Sequence, residues 1–362
     1  MSAITIENDL VHYEALGRGR PVILVHGWLG SWRYWVPTMQ HLSGKYRAYA
    51  LDLWGFGDSG KDANKYAVKD QVNLLYKFFE SMGIRKAVLV GHSLGAAVCL
   101  NFARQYPEFT HRLFLISLPL VDMGGLGDEL PAGMQPRPIA PPPRPAEPKP
   151  SAPVAQPPSV TYSPTSETLP SNPFRALQQA QSVPPQTQPP LESRPVPPVL
   201  PLSIATVPTP SPESPSQDFA PIFAALTSAK PTALLAKHAA RDLPDLEVLR
   251  TEVGKADEIA FMRTAQSLSV QNLALELKRL MTPTLLLHGE DDTLLPPPSE
   301  SLIQRINRGK QSGYFLPLIE PAVGHFPMLQ ITAKFNRLLV DFLEAPDLTN
   351  VQFKDQWKRT IR

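Results

Sequence analysis

A block rich in proline divides this chain into two parts. Of the 42 prolines among its 362 residues, 27 lie between positions 131 and 216. Proline lacks a backbone N–H donor and breaks helices, so such a block forms neither a long helix nor a central strand. We therefore predict a disordered or polyproline-II insertion over residues 123–217. The residues on either side are enough for one large domain with a substantial core.

Continuously apolar runs alternate with helical patterns in the first 120 residues. The runs at positions 22–25, 87–90 and 113–116 contain no polar residue. Such runs are typical of parallel strands that are buried on both faces. Residues 94–106 predict a helix between the last two runs, which ends before Pro107. This alternation favours βα units and a mainly parallel sheet.

The same pattern returns after the proline-rich block. Residues 218–280 predict several short helices, which we interpret as a helical lid. A buried strand is predicted at 283–287, a shorter strand at 314–316 and a closing amphipathic helix at 331–344. The predicted core is therefore interrupted by the insertion and the lid. It consists of an N-terminal part, residues 1–122, and a C-terminal part, residues 281–362.

The segment Gly91-His92-Ser93-Leu94-Gly95 lies between a predicted strand and a predicted helix. In that setting, the Gly-x-Ser-x-Gly pattern predicts a nucleophile elbow. The sharp turn forces the serine into an unusual backbone conformation, and the flanking glycines relieve the crowding. The hydroxyl then projects near the positive end of the helix dipole. We therefore predict that Ser93 is a nucleophile.

A serine hydroxyl needs a general base and a group that orients the base. The candidates come late in the chain, in the order acid and then histidine that an elbow of this kind requires. Asp292 follows the strand at 283–287 and has Pro296 four residues beyond it, and His325 follows Gly324. The spacing to Pro296 favours Asp292 as the acid. The alternative acids are its two acidic neighbours and one residue after the strand at 113–116, namely Glu290, Asp291 and Asp122.

Taken in this order, the motifs resemble those of the lidded α/β-hydrolase superfamily. They are His26-Gly27-Trp28 after a strand, Asp52-Leu53-Trp54-Gly55-Phe56-Gly57-Asp58-Ser59, the elbow, Gly289 to Asp292 with Pro296, and Gly324-His325. The resemblance covers about residues 1–122 and 281–345. It implies the α/β-hydrolase fold, with a mostly parallel eight-stranded sheet flanked by helices, an inserted helical lid and the disordered proline-rich insertion outside the pattern.

The resemblance also implies a role for each site residue. Ser93 attacks a carbonyl, His325 acts as general base and then as general acid, and Asp292 fixes the tautomer of the histidine. The oxyanion hole is expected to consist of the backbone N–H groups of Trp28 and Leu94. The side chain of Trp28 is expected to face the acyl pocket.

The activity implied by the resemblance is hydrolysis of a small or medium apolar ester, or a related acyl substrate, through a Ser-His-Asp triad and an acyl-enzyme. This is the chemistry of a carboxylic ester hydrolase. Serine at the elbow argues against the haloalkane dehalogenase and epoxide hydrolase branches, which have an aspartate there. Carbon–carbon bond hydrolases and haloperoxidase-like enzymes remain alternatives, as does a non-enzymatic member that binds a ligand in the same pocket.

Composition narrows the expected partners. With 35 Lys and Arg against 33 Asp and Glu, the net charge of +2 predicts neither nucleic acid nor an anionic membrane as a partner. No apolar run approaches the roughly 20 residues that a membrane-spanning helix needs. No metal-binding or dinucleotide-binding motif is present, so we expect neither a metal nor another cofactor.

Two further expectations concern the surroundings of the protein. Cys99 is the single cysteine, and residues 1–16 lack the pattern of a secretory signal, so we expect a cytoplasmic location. The proline-rich insertion could recruit a protein with a polyproline-binding groove, although a tolerated surface insertion is the simpler interpretation.

Overall fold

The structure, a computed structural model, describes residues 2–126, 223–224, 226–227, 229–240 and 243–351. All of these residues belong to one compact unit of the chain. Residues 127–217 of the predicted proline-rich insertion, for which a protein partner is predicted, lie outside the described residues.

Eight strands form one sheet. In chain order they are β1 (Ser2–Ile6), β2 (Asp9–Gly17), β3 (Arg20–Val25), β4 (Tyr46–Leu51), β5 (Ala87–His92), β6 (Thr110–Ile116), β7 (Thr284–Gly289) and β8 (Phe315–Glu320). Their spatial order is β1-β2-β4-β3-β5-β6-β7-β8. The pairs β1–β2 and β2–β4 are antiparallel, and all the other pairs in the sheet are parallel. The predicted eight-stranded, mostly parallel sheet is confirmed.

The apolar runs of the sequence form the centre of this sheet. Strands β5 and β7 are buried along their whole length, as are the last four residues of β3. The edge hairpin β1–β2 is different, because its strands mix buried and partly exposed side chains. Parallel central strands carry their loops to one edge, so the loops after β3, β5, β7 and β8 can share a site.

Helices flank the sheet and are also inserted between β6 and β7. In chain order they are α1 (Val36–Leu42), α2 (Val68–Ser81), α3 (Leu94–Gln105), α4 (Pro231–His238), α5 (Leu246–Gly254), α6 (Glu258–Ser269), α7 (Leu273–Arg279), α8 (Glu300–Asn307), α9 (Pro327–Gln330) and α10 (Thr332–Glu344). Phe114 of β6 packs against Phe335 and Phe342 of α10, with ring centroids 5.6 and 5.4 Å apart. Within the described ranges, no helix has the length and apolar character needed to cross a membrane.

The inserted helices α4 to α7 correspond to the predicted lid, and they are joined to the core by polar contacts as well as apolar ones. Glu252 of α5 is buried and accepts hydrogen bonds from Ser31 Oγ at 2.9 Å and Arg33 Nε at 3.1 Å. Lys255 pairs with the same carboxylate at 3.0 Å and with Asp58 at 3.1 Å. Glu252 therefore connects the lid to the loop after β3, and Lys255, which follows the same helix, connects it to the loop after β4.

Replacing Glu252 with alanine is expected to lower the free energy of unfolding by about 1–3 kcal/mol, because it removes the buried acceptor of several donors. The side chains of Arg33 and Lys255 are each 32% exposed, so water compensates for part of the lost ion pairing. Urea denaturation measures the change. The matched control is Glu247→Ala on the same helix, where an exposed pair with Arg250 is lost and a change within about 0.5 kcal/mol is expected. Equal losses in the two variants would contradict the anchoring role.

Candidate active site

Ser93 lies at the junction of β5 and α3 in a strained backbone conformation. Its φ is 55° and its ψ is −115°, and residues with a Cβ rarely adopt a positive φ. The Ser93 N–H donates to Ile116 O at the end of β6 at 2.8 Å, which holds the turn against the sheet. At Gly95 the backbones approach so closely that a Cβ would lie 2.4 Å from Val25 O. The elbow pattern therefore allows a tight turn at Ser93, and Gly95 allows α3 to begin in close contact with β3.

The hydroxyl of Ser93 and the Nε2 atom of His325 are buried, and neither has a hydrogen-bond partner among the described residues. A buried polar atom without a partner costs about 1–3 kcal/mol and calls for an explanation. A catalytic role for the two residues would supply one, because a nucleophile and its base often pair closely only when substrate is bound. Ser117, which follows β6, is a second buried serine, and its φ is also positive, at 47°. Its hydroxyl likewise has no hydrogen-bond partner among the described residues. Ser117 is not part of an elbow pattern.

His325 and Asp292 are in direct contact. Nδ1 of His325 lies 2.8 Å from Oδ2 of Asp292, and both side chains are fully buried. Because the carboxylate accepts this hydrogen bond, Nδ1 carries the proton and Nε2 of the neutral ring has a free lone pair. The two loops are also joined through their backbones, since Asp291 N–H donates to Val323 O at 2.9 Å. The pair therefore has the tautomer that a general base requires.

Several donors surround the carboxylate of Asp292. Leu294 N–H and Leu295 N–H donate to Oδ1 at 3.0 and 2.9 Å. His288 Nε2, which donates to Leu295 O at 2.7 Å, lies 3.4 Å from Oδ2. Burial by itself raises the pKa of Asp292, but its electrostatic interactions and hydrogen bonds with His325 and His288 bring that pKa below its ordinary value. Asp292 is therefore ionised at neutral pH.

The carboxylates of the other acidic candidates do not contact the His325 ring among the described residues. Asp291 and Glu290 are exposed neighbours of Asp292 on the loop after β7. Asp122 is also exposed and forms an ion pair with an arginine of α8. Of these four acidic residues, all of which the structure describes, Asp292 is the one that hydrogen-bonds to the histidine.

The two backbone N–H groups predicted to form the oxyanion hole belong to Trp28, in the loop after β3, and to Leu94, within the elbow. Leu94 follows Ser93 directly and begins α3. Gly27 brings the loop after β3 against the elbow, because a Cβ at Gly27 would lie 2.6 Å from the Cβ of Ser93. Within the described ranges, neither the Trp28 N–H nor the Leu94 N–H donates a hydrogen bond. Two unused donors beside a serine are an arrangement that can stabilise an oxyanion.

His26 holds the peptide that carries the Trp28 N–H. Its Nδ1 donates to Gly27 O at 2.8 Å, and its Nε2 accepts from Leu53 N–H at 3.0 Å. The C=O and N–H of one peptide are coplanar, so fixing Gly27 O also orients the Trp28 N–H. Burial lowers the pKa of His26, which keeps the ring neutral and able to accept from Leu53.

The indole of Trp28 is buried and attached to the lid. Its Nε1 donates to Thr264 Oγ1 on α6 at 2.7 Å, and the Thr264 hydroxyl donates to Ala260 O at 2.6 Å. This side chain is predicted to face an acyl pocket, and its polar end is bound to a helix of the predicted lid. The position of the Trp28 indole is therefore coupled to the docking of α6.

Among the described residues, one group of histidine and aspartate side chains could approach a single metal ion. His12, Asp52 and Asp58 have donor atoms within 4.8 Å of one another. The Asp52 carboxylate already accepts from His12 Nδ1 at 3.0 Å, from Trp32 N–H at 2.8 Å and from Asp58 N–H at 3.0 Å. Asp58 is paired with Lys255. These contacts satisfy the carboxylates, so we propose no metal at this group.

Three buried polar residues at the site carry no sequence motif. Tyr34 accepts from Gly27 N–H at 2.7 Å, His288 lies beside Asp292, and Thr264 binds the Trp28 indole. Thr264 is 236 positions away from Trp28 in the sequence, so no local spacing connects the two. The three-dimensional contacts were needed to find these residues.

The fold and the strand–elbow–helix geometry define a class of protein. A family model described as the alpha/beta hydrolase fold matches residues 20–158. The match includes β3, β5, the elbow and β6. The chain therefore has the α/β-hydrolase fold, and its residues 20–158 are similar to that family.

Comparison with curated proteins gives partial matches. The soluble epoxide hydrolase of Corynebacterium sp. (strain C12) is 29% identical over 121 residues, which are 33% of this chain and 42% of that protein. The chain thus matches less than half of the length of its first curated relatives. Because the match is partial, it does not establish the reaction or the substrate of this chain, and both are inferred from the site below.

Solved structures resemble the chain over nearly its whole length. A thermophilic esterase from Thermogutta terrifontis superposes with a TM-score of 0.59 at 17% identity, covering 96% of this chain and 100% of that one. A meta-cleavage product hydrolase from Pseudomonas fluorescens has a TM-score of 0.53 at 19% identity and covers 95% of this chain and 97% of that one. At these identities the likeness shows the fold, and functions differ widely among proteins of one fold.

Proposed function

We propose that this chain is a serine hydrolase that cleaves a small or medium apolar ester, or a related acyl substrate, through an acyl-enzyme. The observation that carries the proposal is the buried Ser93 hydroxyl at a strained elbow, without a described partner, together with the His325–Asp292 pair in the tautomer of a general base. Structural strain and unpaired buried atoms of this kind cluster at functional sites.

In the first half of the reaction, Ser93 Oγ attacks the carbonyl carbon of the ester while its proton moves to Nε2 of His325. The carbonyl oxygen becomes an oxyanion that accepts hydrogen bonds from the N–H groups of Trp28 and Leu94. Asp292 stabilises the imidazolium. His325 then gives its proton to the leaving alkoxide, the acyl–oxygen bond breaks and an ester of Ser93 remains.

In the second half, water takes the place of the alcohol. His325 removes a proton from the water, whose oxygen attacks the acyl carbon, and the same N–H groups hold the second oxyanion. The bond between the acyl carbon and Ser93 Oγ breaks, and the proton on His325 returns to the serine. A carboxylic acid is released and the enzyme is restored.

The helices inserted between β6 and β7 bury apolar side chains, so an acyl pocket bounded by them would favour an apolar acyl group. Phe261 of α6 is buried and packs near Phe56 of the core, with ring centroids 6.0 Å apart. Leu234 and Leu235 of α4 are buried as well. Small-molecule sites are lined mainly by apolar side chains with a few polar groups that orient the ligand.

Epoxide opening is a weaker candidate, although curated relatives carry that name. A serine alkylated by an epoxide would be an ether, which has no carbonyl for a second water to attack. An acylated Ser93 has such a carbonyl, so turnover is possible in that case alone. The residue at the elbow therefore favours acyl chemistry.

A fluorophosphonate probe tests the proposal, because it phosphonylates activated serines. We expect stoichiometric labelling of the peptide that contains Ser93, and hydrolysis of acetyl, butyryl or octanoyl p-nitrophenyl esters. The panel should also include a thioester, an epoxide and a vinylogous diketone, the last for carbon–carbon bond cleavage. Cleavage of the diketone without any ester turnover would replace the ester assignment, and failure of both labelling and turnover would support a ligand-binding protein instead.

A further inference from the structure

Three loops at the proposed site are joined by one buried chain of hydrogen bonds. Gly27 N–H donates to Tyr34 Oη at 2.7 Å, Tyr34 Oη lies 2.9 Å from His92 Nδ1, and His92 Nε2 lies 2.7 Å from His325 O. All four residues are buried. The chain runs from the loop after β3, through the residue that precedes Ser93, to the loop that carries His325.

The proton positions in this chain follow from the chemistry of its atoms. A carbonyl oxygen can only accept, so His92 Nε2 carries the proton that binds His325 O. Burial and the neighbouring His325 hold the pKa of His92 well below its ordinary value, which keeps the ring neutral and leaves Nδ1 as an acceptor. Tyr34 then donates to Nδ1 and accepts from Gly27 N–H. Burial raises the pKa of the Tyr34 phenol well above its ordinary value, so its proton stays in place.

We infer that Tyr34 and His92 are positioning residues that hold the oxyanion peptide and the general base in register with the nucleophile. Tyr34 fixes Gly27 through its N–H, and His26 fixes the same residue through its C=O. His92 anchors the backbone of His325, whose ring is held by Asp292. The inference rests on the proposed serine hydrolase function.

Removal of the Tyr34 hydroxyl distinguishes a positioning role of this residue from a packing role. The Tyr34 and His92 rings also touch edge to face, with centroids 5.6 Å apart. Tyr34→Phe keeps that ring contact and removes both hydrogen bonds of the hydroxyl. A misplacement of about 1 Å in an active site can lower the rate by about 10²-fold. A packing role would not depend on the hydroxyl.

Tyr34→Phe is expected to lower kcat by about 10- to 100-fold and to change KM by less than about threefold. The matched control is Tyr46→Phe, a buried tyrosine at the start of β4 whose hydroxyl accepts from Arg20 at 3.2 Å. It is expected to keep the wild-type kcat. Melting temperatures of both variants show how much folded protein is present. A kcat for Tyr34→Phe within about threefold of the control would overturn the inference.

Variants of His92 supply a second test. His92→Gln offers an amide oxygen and an amide N–H at nearly the spacing of the two ring nitrogens, whereas His92→Leu offers neither. We expect the glutamine variant to recover at least about tenfold in kcat over the leucine variant. In a double-mutant cycle, Tyr34→Phe and His92→Leu should be strongly non-additive, because each breaks the same chain. Multiplicative losses in kcat would show two independent effects and contradict the inference.

A measurement that needs no turnover separates this inference from the proposed function. ¹⁵N NMR of the histidine side chains should find His92 neutral and protonated at Nε2 between about pH 6 and pH 9, and Tyr34→Phe should shift its Nδ1 resonance. A protonated Nδ1, or no shift in the variant, would overturn the chain of hydrogen bonds. Absence of Ser93 labelling in the wild type, with the NMR result as expected, would instead refute the hydrolase function.

Discussion

Ser93→Ala is expected to lower kcat/KM for the best ester substrate by about 10⁴- to 10⁶-fold. The variant keeps the oxyanion donors and the His325–Asp292 pair but has no atom that can form the acyl-enzyme. Any remaining turnover then comes from water attacking a bound and polarised ester. Fluorophosphonate labelling should disappear, and steady-state kinetics with the preferred p-nitrophenyl ester measures the loss.

The free energy of unfolding of Ser93→Ala is expected to equal that of the wild type or to exceed it by up to about 1 kcal/mol. Alanine at this position has the same positive φ as the serine, so the backbone strain remains. The substitution removes a buried hydroxyl that has no partner among the described residues, and that hydroxyl is a cost to folding. Urea denaturation should therefore show that lost activity does not reflect lost fold.

Ser117→Ala is the matched control for Ser93→Ala. Ser117 shares its burial, its positive φ and its unpaired hydroxyl within the described ranges, but lies after β6. Loss of labelling in Ser117→Ala together with labelling that persists in Ser93→Ala would transfer the nucleophile to Ser117.

Much of the core could be predicted because its signals are local. A central parallel strand is buried on both faces, so β5 and β7 appear in the sequence as unbroken apolar runs. The elbow is also local, since a tight turn between a strand and a helix needs small residues at fixed spacing. Asp292 and His325 lie 33 positions apart, yet each follows a strand of the same parallel sheet, which carries both to one edge.

The parts that escaped prediction depend on contacts between distant segments. Glu252 is 221 positions away from Ser31, and Thr264 is 236 positions away from Trp28. Any buried lid helix can carry a threonine or a glutamate, so the residue type alone does not indicate a partner. His92 lies within the elbow pattern, but its contact with His325 O depends on the docking of the loop after β8. The sequence therefore does not predict contacts that depend on how distant segments pack together.

The same contacts change how the oxyanion loop is understood. Gly27 and Trp28 are held by Tyr34 and His26 from the core side and by Thr264 from the lid side. Substrate entry that displaced α6 would release the Trp28 indole while the core contacts remained. Tyr34 and His26 therefore hold the peptide that carries the Trp28 N–H whether or not α6 is docked, and the lid contact fixes only the indole side chain of Trp28.

Asp292→Asn is expected to lower kcat by about 10³- to 10⁴-fold. The asparagine oxygen can still accept from Leu294 and Leu295 N–H, so its amide N–H₂ group faces His325 Nδ1. That amide donates, and it therefore selects the tautomer with the proton on Nε2. His325 can then no longer accept the proton of the attacking serine. Stopped-flow or steady-state hydrolysis of the preferred ester measures the loss.

The control variants test two of the acidic residues that the sequence leaves as alternatives to Asp292. Asp291→Asn changes an exposed neighbour, and Asp122→Asn breaks an exposed ion pair with α8, so each is expected to keep kcat within about twofold and stability within about 0.5 kcal/mol. Asp292→Asn also places its amide beside His288 Nε2–H, where two donors now face each other, so we expect the free energy of unfolding to fall by about 1–3 kcal/mol. Full activity of Asp292→Asn together with a large loss in Asp291→Asn or Asp122→Asn would move the acid to that residue. A large loss in Asp292→Asn alone, with the variant folded at the assay temperature, is the result that the buried His325–Asp292 contact predicts.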